Sequence, residues 1–315
     1  MKALCLTSGG LISAQVLSAW VAGGHSVAAL WIGPLERKKF LRRDHALGLV
    51  APSWSIATLC RRYRIPVRSN LRLSTWREAE AEIRSLNADI LISSLSHQIV
   101  PEKILKQFDG RAVNFHPALL PHYRGPNPRA GMILDGTASL YGGVTVHVLT
   151  GEIDLGDIIG LRSVPYVATK GFIEWNVRQA RAARELVETE LKNYLDGSST
   201  PSPQSSLIGN YRKVHASELT LSERQVASSI AWLCDRLGDS GWLRFRPSDV
   251  DDVHIVHRFL RQIGPPTFTS PRIGPTTIEF DAADARVRVR RRWYLTRLLT
   301  VLKYWIAIAR TAFLR

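Results

Sequence analysis

The sequence predicts an α/β fold: a mostly parallel sheet with helices on both faces, followed by a smaller C-terminal α+β region and a terminal amphipathic helix. Three observations carry this. Strand and helix signals alternate over the first hundred residues, the strand segments are near-continuously apolar, and a Ser/Pro-rich stretch at 198–206 precedes a region of different pattern.

Taken in order, Lys2–Thr7 reads as a strand, Leu11–Ala22 as a helix ended by Gly23-Gly24, and Ser26–Trp31 as a second strand. Ser53–Tyr63 reads as helix, Ile65–Val67 as a short strand, Thr75–Leu86 as a charged amphipathic helix and Asp89–Ser93 as a buried strand. In such open, Rossmann-like sheets ligands sit beyond the carboxyl ends of the strands. Lys170–Leu195 is a long amphipathic helix stopping at Asp196-Gly197, where glycine can supply a left-handed cap. Beyond it lie a helical segment around Ser222–Leu237 and a hairpin pairing Thr276–Phe280 with Ala285–Arg291. The arginines of Arg286-Val-Arg-Val-Arg290 alternate with period two and are expected to share one solvated face. The expected division is a large domain at 1–197, a linker at 198–206, a small accessory domain at 207–292 and a basic amphipathic tail at 293–315.

A chain of 315 residues with 45% hydrophobic content is ample for a packed core. Cys5, Cys60 and Cys234 are far apart and show no metal-ligand spacing, so they read as buried thiols in a reducing compartment. The N-terminus enters a strand and then Gly9-Gly10 without the long apolar stretch of a signal peptide, which predicts a cytoplasmic protein. The net charge is +15, of which nine cations and no acid fall in the last 30 residues, leaving +6 for the other 285. Such a tail seeks phosphates, on lipid headgroups or on nucleic acid.

The informative stretch is Val113-Asn-Phe-His-Pro-Ala-Leu-Leu-Pro-His-Tyr-Arg-Gly-Pro-Asn-Pro128, followed by Gly143-Val-Thr-Val-His147 and Glu152-Ile-Asp-Leu-Gly-Asp157. Asn114 and His116 are two apart near a strand end, so their side chains project to one side. Asp154 lies in a polar loop that could return to the same carboxyl edge. An amide, a protonated imidazole and a carboxylate suit acyl transfer to an amine. The first two can hold a developing oxyanion, and the carboxylate can orient the imidazole or collect the amine proton. Without a placed serine or cysteine nucleophile, direct transfer is more natural than a covalent acyl-enzyme. Each residue alone has a plainer reading: Asn-x-His as a strand-end hydrogen-bonding pair, Asp154 as a turn former, His147 as a satisfied buried histidine. The Gly9-Gly10 turn can likewise cradle a phosphate or be a tight turn that binds nothing.

Asn114-Phe-His-Pro-Ala-Leu-Leu-Pro121, Arg124-Gly125, Gly143-Val-Thr145 and Asp154-x-Gly-Asp157 together resemble the folate-dependent formyltransferase family, over about residues 1–165. That family includes methionyl-tRNA formyltransferase, glycinamide ribonucleotide formyltransferase and the sugar N-formyltransferases. The resemblance implies 10-formyltetrahydrofolate as donor, no metal, and Asn114, His116 and Asp154 as the catalytic trio. It also implies a folate slot at Gln98, Ile99 and Val100 with the loop Thr150, Gly151, Glu152 and Ile153. Acceptor contacts are expected from Ser8, Gly9, Gly10, Arg124 and Gly125. Two positions depart from the family pattern: Ala118 replaces a small hydroxyl residue, and Ser96-His97 replaces an aromatic-glycine pair.

Arg124-Gly-Pro-Asn-Pro128 is closer to a sugar-modifying member than to the transfer-RNA members, which favours an amino sugar on a nucleotide or lipid carrier. Aminoacyl-tRNA is the alternative, and a non-catalytic folate-binding or scaffold module is a third reading. In the tail, Leu295, Leu298, Leu299, Val301, Leu302, Trp305, Ile306, Ile308, Ala309, Ala312 and Phe313 fall on one broad apolar face, with Arg297, Thr300, Lys303, Tyr304, Arg310 and Thr311 on the other side. This suits an enzyme lying peripherally on the inner face of an anionic membrane. Alternatively, the apolar face packs on the enzyme's own body or a second subunit, or the arginines bind RNA.

Overall fold

The computed structural model describes residues 1–33, 37–69, 73–205, 208–247, 253–292 and 294–312; Ser206, Trp293 and Phe313–Arg315 of the segments discussed above lie outside them. The chain forms two compact units. The first comprises Met1–Tyr166, Trp175–Lys213 and the chain from Ala307 onward; the second comprises Val167–Glu174 and Val214–Ile306.

The first unit opens with β1 (Lys2–Thr7), α1 (Leu11–Ala22) and β2 (Ser26–Ile32). It continues with α2 (Arg37–Val50), α3 (Ile56–Arg62), β3 (Val67–Ser69), α4 (Ala79–Leu86), β4 (Ile90–Ser94), α5 (Glu102–Leu105) and β5 (Ala112–His116). Next come α6 (Pro128–Leu134), α7 (Ala138–Tyr141), β6 (Gly143–Val148) and β7 (Ile158–Ser163). Last, α8 (Gly171–Leu186) passes through a π turn at Val187–Leu191 into α9 (Lys192–Leu195). The seven strands lie in the order β3-β2-β1-β4-β5-β6-β7. β1 to β5 are parallel, whereas β6 and β7 are antiparallel to their neighbours. Leu4, Leu6, Leu91 and Val113 are fully or almost fully buried, as apolar strands covered on both faces must be. α1 is buried from Leu11 to Trp20, which explains its lack of a polar stripe.

Several boundaries move for local reasons. The expected helix Ser53–Tyr63 breaks at Ser55, whose hydroxyl caps Thr58 N–H and separates a 3-10 turn from α3. The Thr75–Leu86 helix begins only at Ala79. Residues 198–205, linker-like in composition, lie against the sheet: Ser202 and Ile158 exchange both backbone hydrogen bonds at 2.8 Å. Proline and serine here serve an irregular edge segment.

The second unit contains β8 (Thr220–Leu221), α10 (Ala227–Leu237), β9 (Arg244–Phe245), β10 (His254–Gly264), β11 (Arg272–Ile273), β12 (Thr277–Asp281) and β13 (Arg286–Arg291). These strands form one sheet in the order β11-β12-β13-β10-β9-β8. The expected hairpin is β12–β13, with Ile278 opposite Val289 and Phe280 opposite Val287 on the buried face. Its other face is not uniformly solvated: Arg286 is buried against Asp281 at 3.0 Å, because a guanidinium leaves water only when a carboxylate receives it. α11 (Tyr294–Ala312) ends the described chain.

One buried side chain steadies the loop that follows β5. Gln179 of α8 is fully buried and donates through Nε2 to Gly143 O at 2.8 Å and Pro117 O at 3.4 Å. Gln179→Leu strands both carbonyls, so chemical denaturation is expected to show a loss of about 1–3 kcal/mol. An unchanged midpoint and slope would show that Gln179 does not hold this loop.

Candidate active site

The site is assembled at the end of β5. Period-two alternation sends Asn114 and His116 to the same side of the sheet, and Phe115 between them into the core. β6 runs antiparallel to β5, so the loop after Val148 begins opposite Val113, at the far end of β5 from the carboxyl edge. Asp154 reaches the pair by folding back, with φ 54° in the left-handed region. Two glycines permit this. A Cβ on Gly156 would lie 1.8 Å from Val148 O, and Gly125, at φ +100°, would bring a Cβ 2.6 Å from the Tyr211 ring.

Asp154 is the hub. Its Oδ2 accepts the Gly125 N–H at 2.9 Å and lies 3.4 Å from His116 Nδ1. Its Oδ1 accepts from Asn114 Nδ2 at 3.4 Å and lies 3.5 Å from His147 Nε2. Asn114 Nδ2 also lies 3.1 Å from His147 Nε2. Burial pushes the Asp154 carboxyl up, but His116, His147 and the Gly125 N–H outweigh it and hold the group well below the usual carboxylate range.

These contacts fix the protons. His147 Nδ1 lies 2.9 Å from Val148 O and donates to it, and in the singly protonated ring Nε2 is then an acceptor for the Asn114 amide. The amide therefore directs its two hydrogens at His147 and Asp154. His116 Nε2 donates to Tyr123 O at 2.8 Å. Burial lowers the His116 pKa below its ordinary value, more than the neighbouring carboxylate raises it. The ring expected to be protonated is thus neutral at rest, with the Nδ1 lone pair turned toward Asp154.

Residues 58–187 match the family model described as formyl transferase. This chain carries a formyl transferase domain. A methionyl-tRNA formyltransferase from Listeria monocytogenes is 33% identical over 140 residues, covering 44% of this chain and 44% of the relative. The match therefore spans less than half the length of that curated relative. A sugar N-formyltransferase from a Shewanella species superposes with a TM-score of 0.59 at 17% identity, over 84% of this chain and 98% of that one. HypX from Aquifex aeolicus, solved in complex with tetrahydrofolic acid, gives 0.56 at 14% identity, over 92% and 43%. At such identities the two structures establish the shared fold.

Other residues singled out in the sequence are placed as follows. Gln98 is partly committed, since its side-chain oxygen accepts Leu73 N–H at 2.9 Å. Val100 is buried in the core cluster of Leu4, Leu91 and Ile104, while Ile99 stands exposed. Thr150–Ile153 form an exposed loop in which the Thr150 hydroxyl bonds Glu152. Gly9 N–H is spent on Thr7 Oγ1 at 2.8 Å, and Ser8 Oγ accepts His97 N–H at 3.4 Å, so this turn is less open to a phosphate than its glycines suggest. Gly10, at φ +108°, lets the chain enter α1. Arg124 bonds through its backbone to Asn210 and Arg212, and its buried Nε has no partner among the described residues.

Sequence reading gave His147 no part in the site and missed Asn210 and Tyr211. His147 touches Asn114 and Asp154 directly. The signal was its register, since His147 pairs with Asn114 across β5–β6. Asn210 takes Tyr123 N–H on its side-chain oxygen at 2.7 Å, and Tyr211 packs beside Gly125. No sequence signal joins residues 210–211 to 123–125. Among the described residues, no group of three or more His, Cys, Asp or Glu is arranged to hold a metal ion.

Gly125→Ala forces a Cβ toward Tyr211 and moves the N–H that Asp154 accepts. The Asp154 carboxyl, followed by NMR of labelled aspartate, is expected to titrate at higher pH in this variant. An unmoved titration would remove Gly125 from the set of groups that ionise Asp154.

Proposed function

We propose that this chain transfers a formyl group from 10-formyltetrahydrofolate to a primary amine, through Asn114, His116 and Asp154. The supporting observation is the convergence of an amide, a neutral imidazole and an ionised carboxylate within hydrogen-bonding or ion-pairing distance. The amine nitrogen attacks the formyl carbon, one amine proton leaves, and the bond from that carbon to the folate nitrogen breaks as that nitrogen takes up a proton in exchange. His116 Nδ1 is the acceptor for the amine proton, because Tyr123 O occupies the other nitrogen and Asp154 stabilises the imidazolium that forms. Asn114, giving up its long 3.4 Å contact with Asp154 as the donor binds, and then the protonated His116 are the donors for the developing oxyanion. The water-exposed apolar surface of Ile99 and Ile153 is of the kind a pterin ring would cover, with Gln98, Val100 and the loop Thr150–Glu152 as the rest of the slot.

The favoured acceptor is an amino sugar on a nucleotide or lipid carrier, contacted by Arg124, Gly125 and the Ser8–Gly10 turn. The sequence Arg124-Gly-Pro-Asn-Pro128 and the likeness to a sugar N-formyltransferase over 84% of the chain support this. Aminoacyl-tRNA is the second reading, favoured by the name of the Listeria relative. A lipid-borne acceptor would bring the enzyme to the inner face of a membrane, a setting that fits the outer face of α11.

Asn114→Ala, His116→Ala and Asp154→Asn are each expected to fold and to cut turnover about 10²–10³-fold, read as tetrahydrofolate release across a panel of amines. Donor binding without turnover of any amine would instead favour a folate-binding module.

The pH profile makes a second test. With His116 acting in its neutral form, kcat/KM is expected to be flat through neutrality and to fall only below the ordinary histidine range. In Asp154→Asn the carboxylate no longer raises the His116 pKa, so the acid limb of the residual activity moves further down. An acid limb at or above pH 7 in the wild type would contradict this role.

A further inference from the structure

The packing of α11 is inverted relative to its sequence. Thr300, Tyr304, Ala307, Ile308 and Thr311, at helical spacing, are the buried side chains. Within the second unit, Arg292 lies 3.5 Å from the Thr300 hydroxyl. Within the first, Arg181 donates to Thr311 Oγ1 at 2.7 Å and Ile308 O at 3.0 Å. The threonine hydroxyls on the inward face are thus matched by arginines. On the opposite face Leu298, Leu299, Leu302 and Trp305 stand 48%, 55%, 48% and 44% exposed. Of the apolar face expected to cover either a membrane or the protein's own body, Ile308 packs inward, whereas the stripe of Leu298, Leu299, Leu302 and Trp305 does not.

That stripe borders a charged cleft in the second unit. Leu299 and Lys303 of α11 line it with Asp239, His257, Arg258 and Arg290, around a volume of ≈ 360 Å³. Its acids are already matched: Asp239 takes Lys303 on both oxygens at 3.0 Å, and Asp235 lies 3.4 Å from Arg236. Arg258 and Arg290 are register partners on adjacent strands, and both are exposed. Neither side chain has a hydrogen bond or ion pair among the described residues. Two unmatched guanidiniums side by side repel, and a phosphate relieves both through paired N–H donors.

We propose that α11 and this cleft form a docking surface for anionic phospholipid, with Leu298, Leu299, Leu302 and Trp305 entering the headgroup–acyl boundary and Arg258 and Arg290 receiving lipid phosphate. A soluble phosphate ester would use only the arginines, and an apolar protein partner only the stripe. A phospholipid surface uses the two together. None of the described helices is long and apolar enough to cross a membrane, so the stripe would lie in the interface plane. The inference does not depend on the acceptor that is formylated.

The test is co-sedimentation of the full-length protein with vesicles of phosphatidylglycerol and phosphatidylcholine, or of phosphatidylcholine alone. At least about tenfold stronger partitioning onto the anionic vesicles is expected. Leu298→Glu/Leu302→Glu and, independently, Arg258→Glu/Arg290→Glu should each lower that partitioning at least about tenfold with unchanged thermal melting, because all four side chains are exposed. Equal binding to both vesicle types, or binding that survives both double variants, would overturn the proposal. So would absent vesicle binding combined with self-association lost in the leucine variant, which would make the stripe a contact between copies. Binding of glycerol phosphate without binding of vesicles would likewise reduce the cleft to a soluble-anion site and overturn it.

Discussion

The site depends on keeping one carboxylate ionised away from water. Asp154 is largely buried, and a buried charge without partners would cost several kcal/mol or neutralise itself. Two N–H donors reach it, from the Gly125 backbone and the Asn114 amide, and the rings of His116 and His147 flank it. Each comes with its own structural demand. Gly125 must lie close to Tyr211, Asn114 must sit opposite His147 across β5–β6, and Asp154 must adopt a left-handed backbone before the tight approach of Gly156 to Val148. The antiparallel turn of β6 and β7 at the end of an otherwise parallel sheet makes these demands compatible. It sends the chain back alongside β5 in place of a helical crossover.

The same arrangement divides the work among the titratable groups. Tyr123 O and Val148 O each engage one ring nitrogen, so His116 and His147 hold opposite tautomers. His147 thereby accepts from Asn114 and orients the amide, while His116 keeps a basic nitrogen toward the carboxylate. In the proposed chemistry a proton arriving at His116 turns an acceptor–acceptor contact into an ion pair inside a low-dielectric site. That is where such a pair stabilises a transition state most.

Much of this was legible in the sequence, and the failures share a physical cause. β1, α1 and β4 were readable because full burial leaves an unbroken apolar run. Asn114 and His116 were readable because strand periodicity fixes their common side, and Asp154 because it lies in a loop among recognisable glycines. What local pattern could not reveal was pairing at a distance. The antiparallel β5–β6 register, the return of Ser202 and Asn210–Arg212 to the sheet and its loops, and the role of His147 all depend on contacts across dozens of residues. α11 departs from the usual pattern of an amphipathic helix. The apolar face is ordinarily the buried one, yet here threonine hydroxyls and helix carbonyls matched by Arg181 and Arg292 make the polar face the packed one.

The central claim, that two backbone carbonyls set opposite tautomers on the two histidine rings beside Asp154, is open to direct observation. Long-range proton–nitrogen NMR of the histidine rings at pH 7 reports which nitrogens carry protons. The structure predicts His116 protonated on Nε2 alone and His147 on Nδ1 alone. A doubly protonated His116 at pH 7, or His147 protonated on Nε2, would contradict the account.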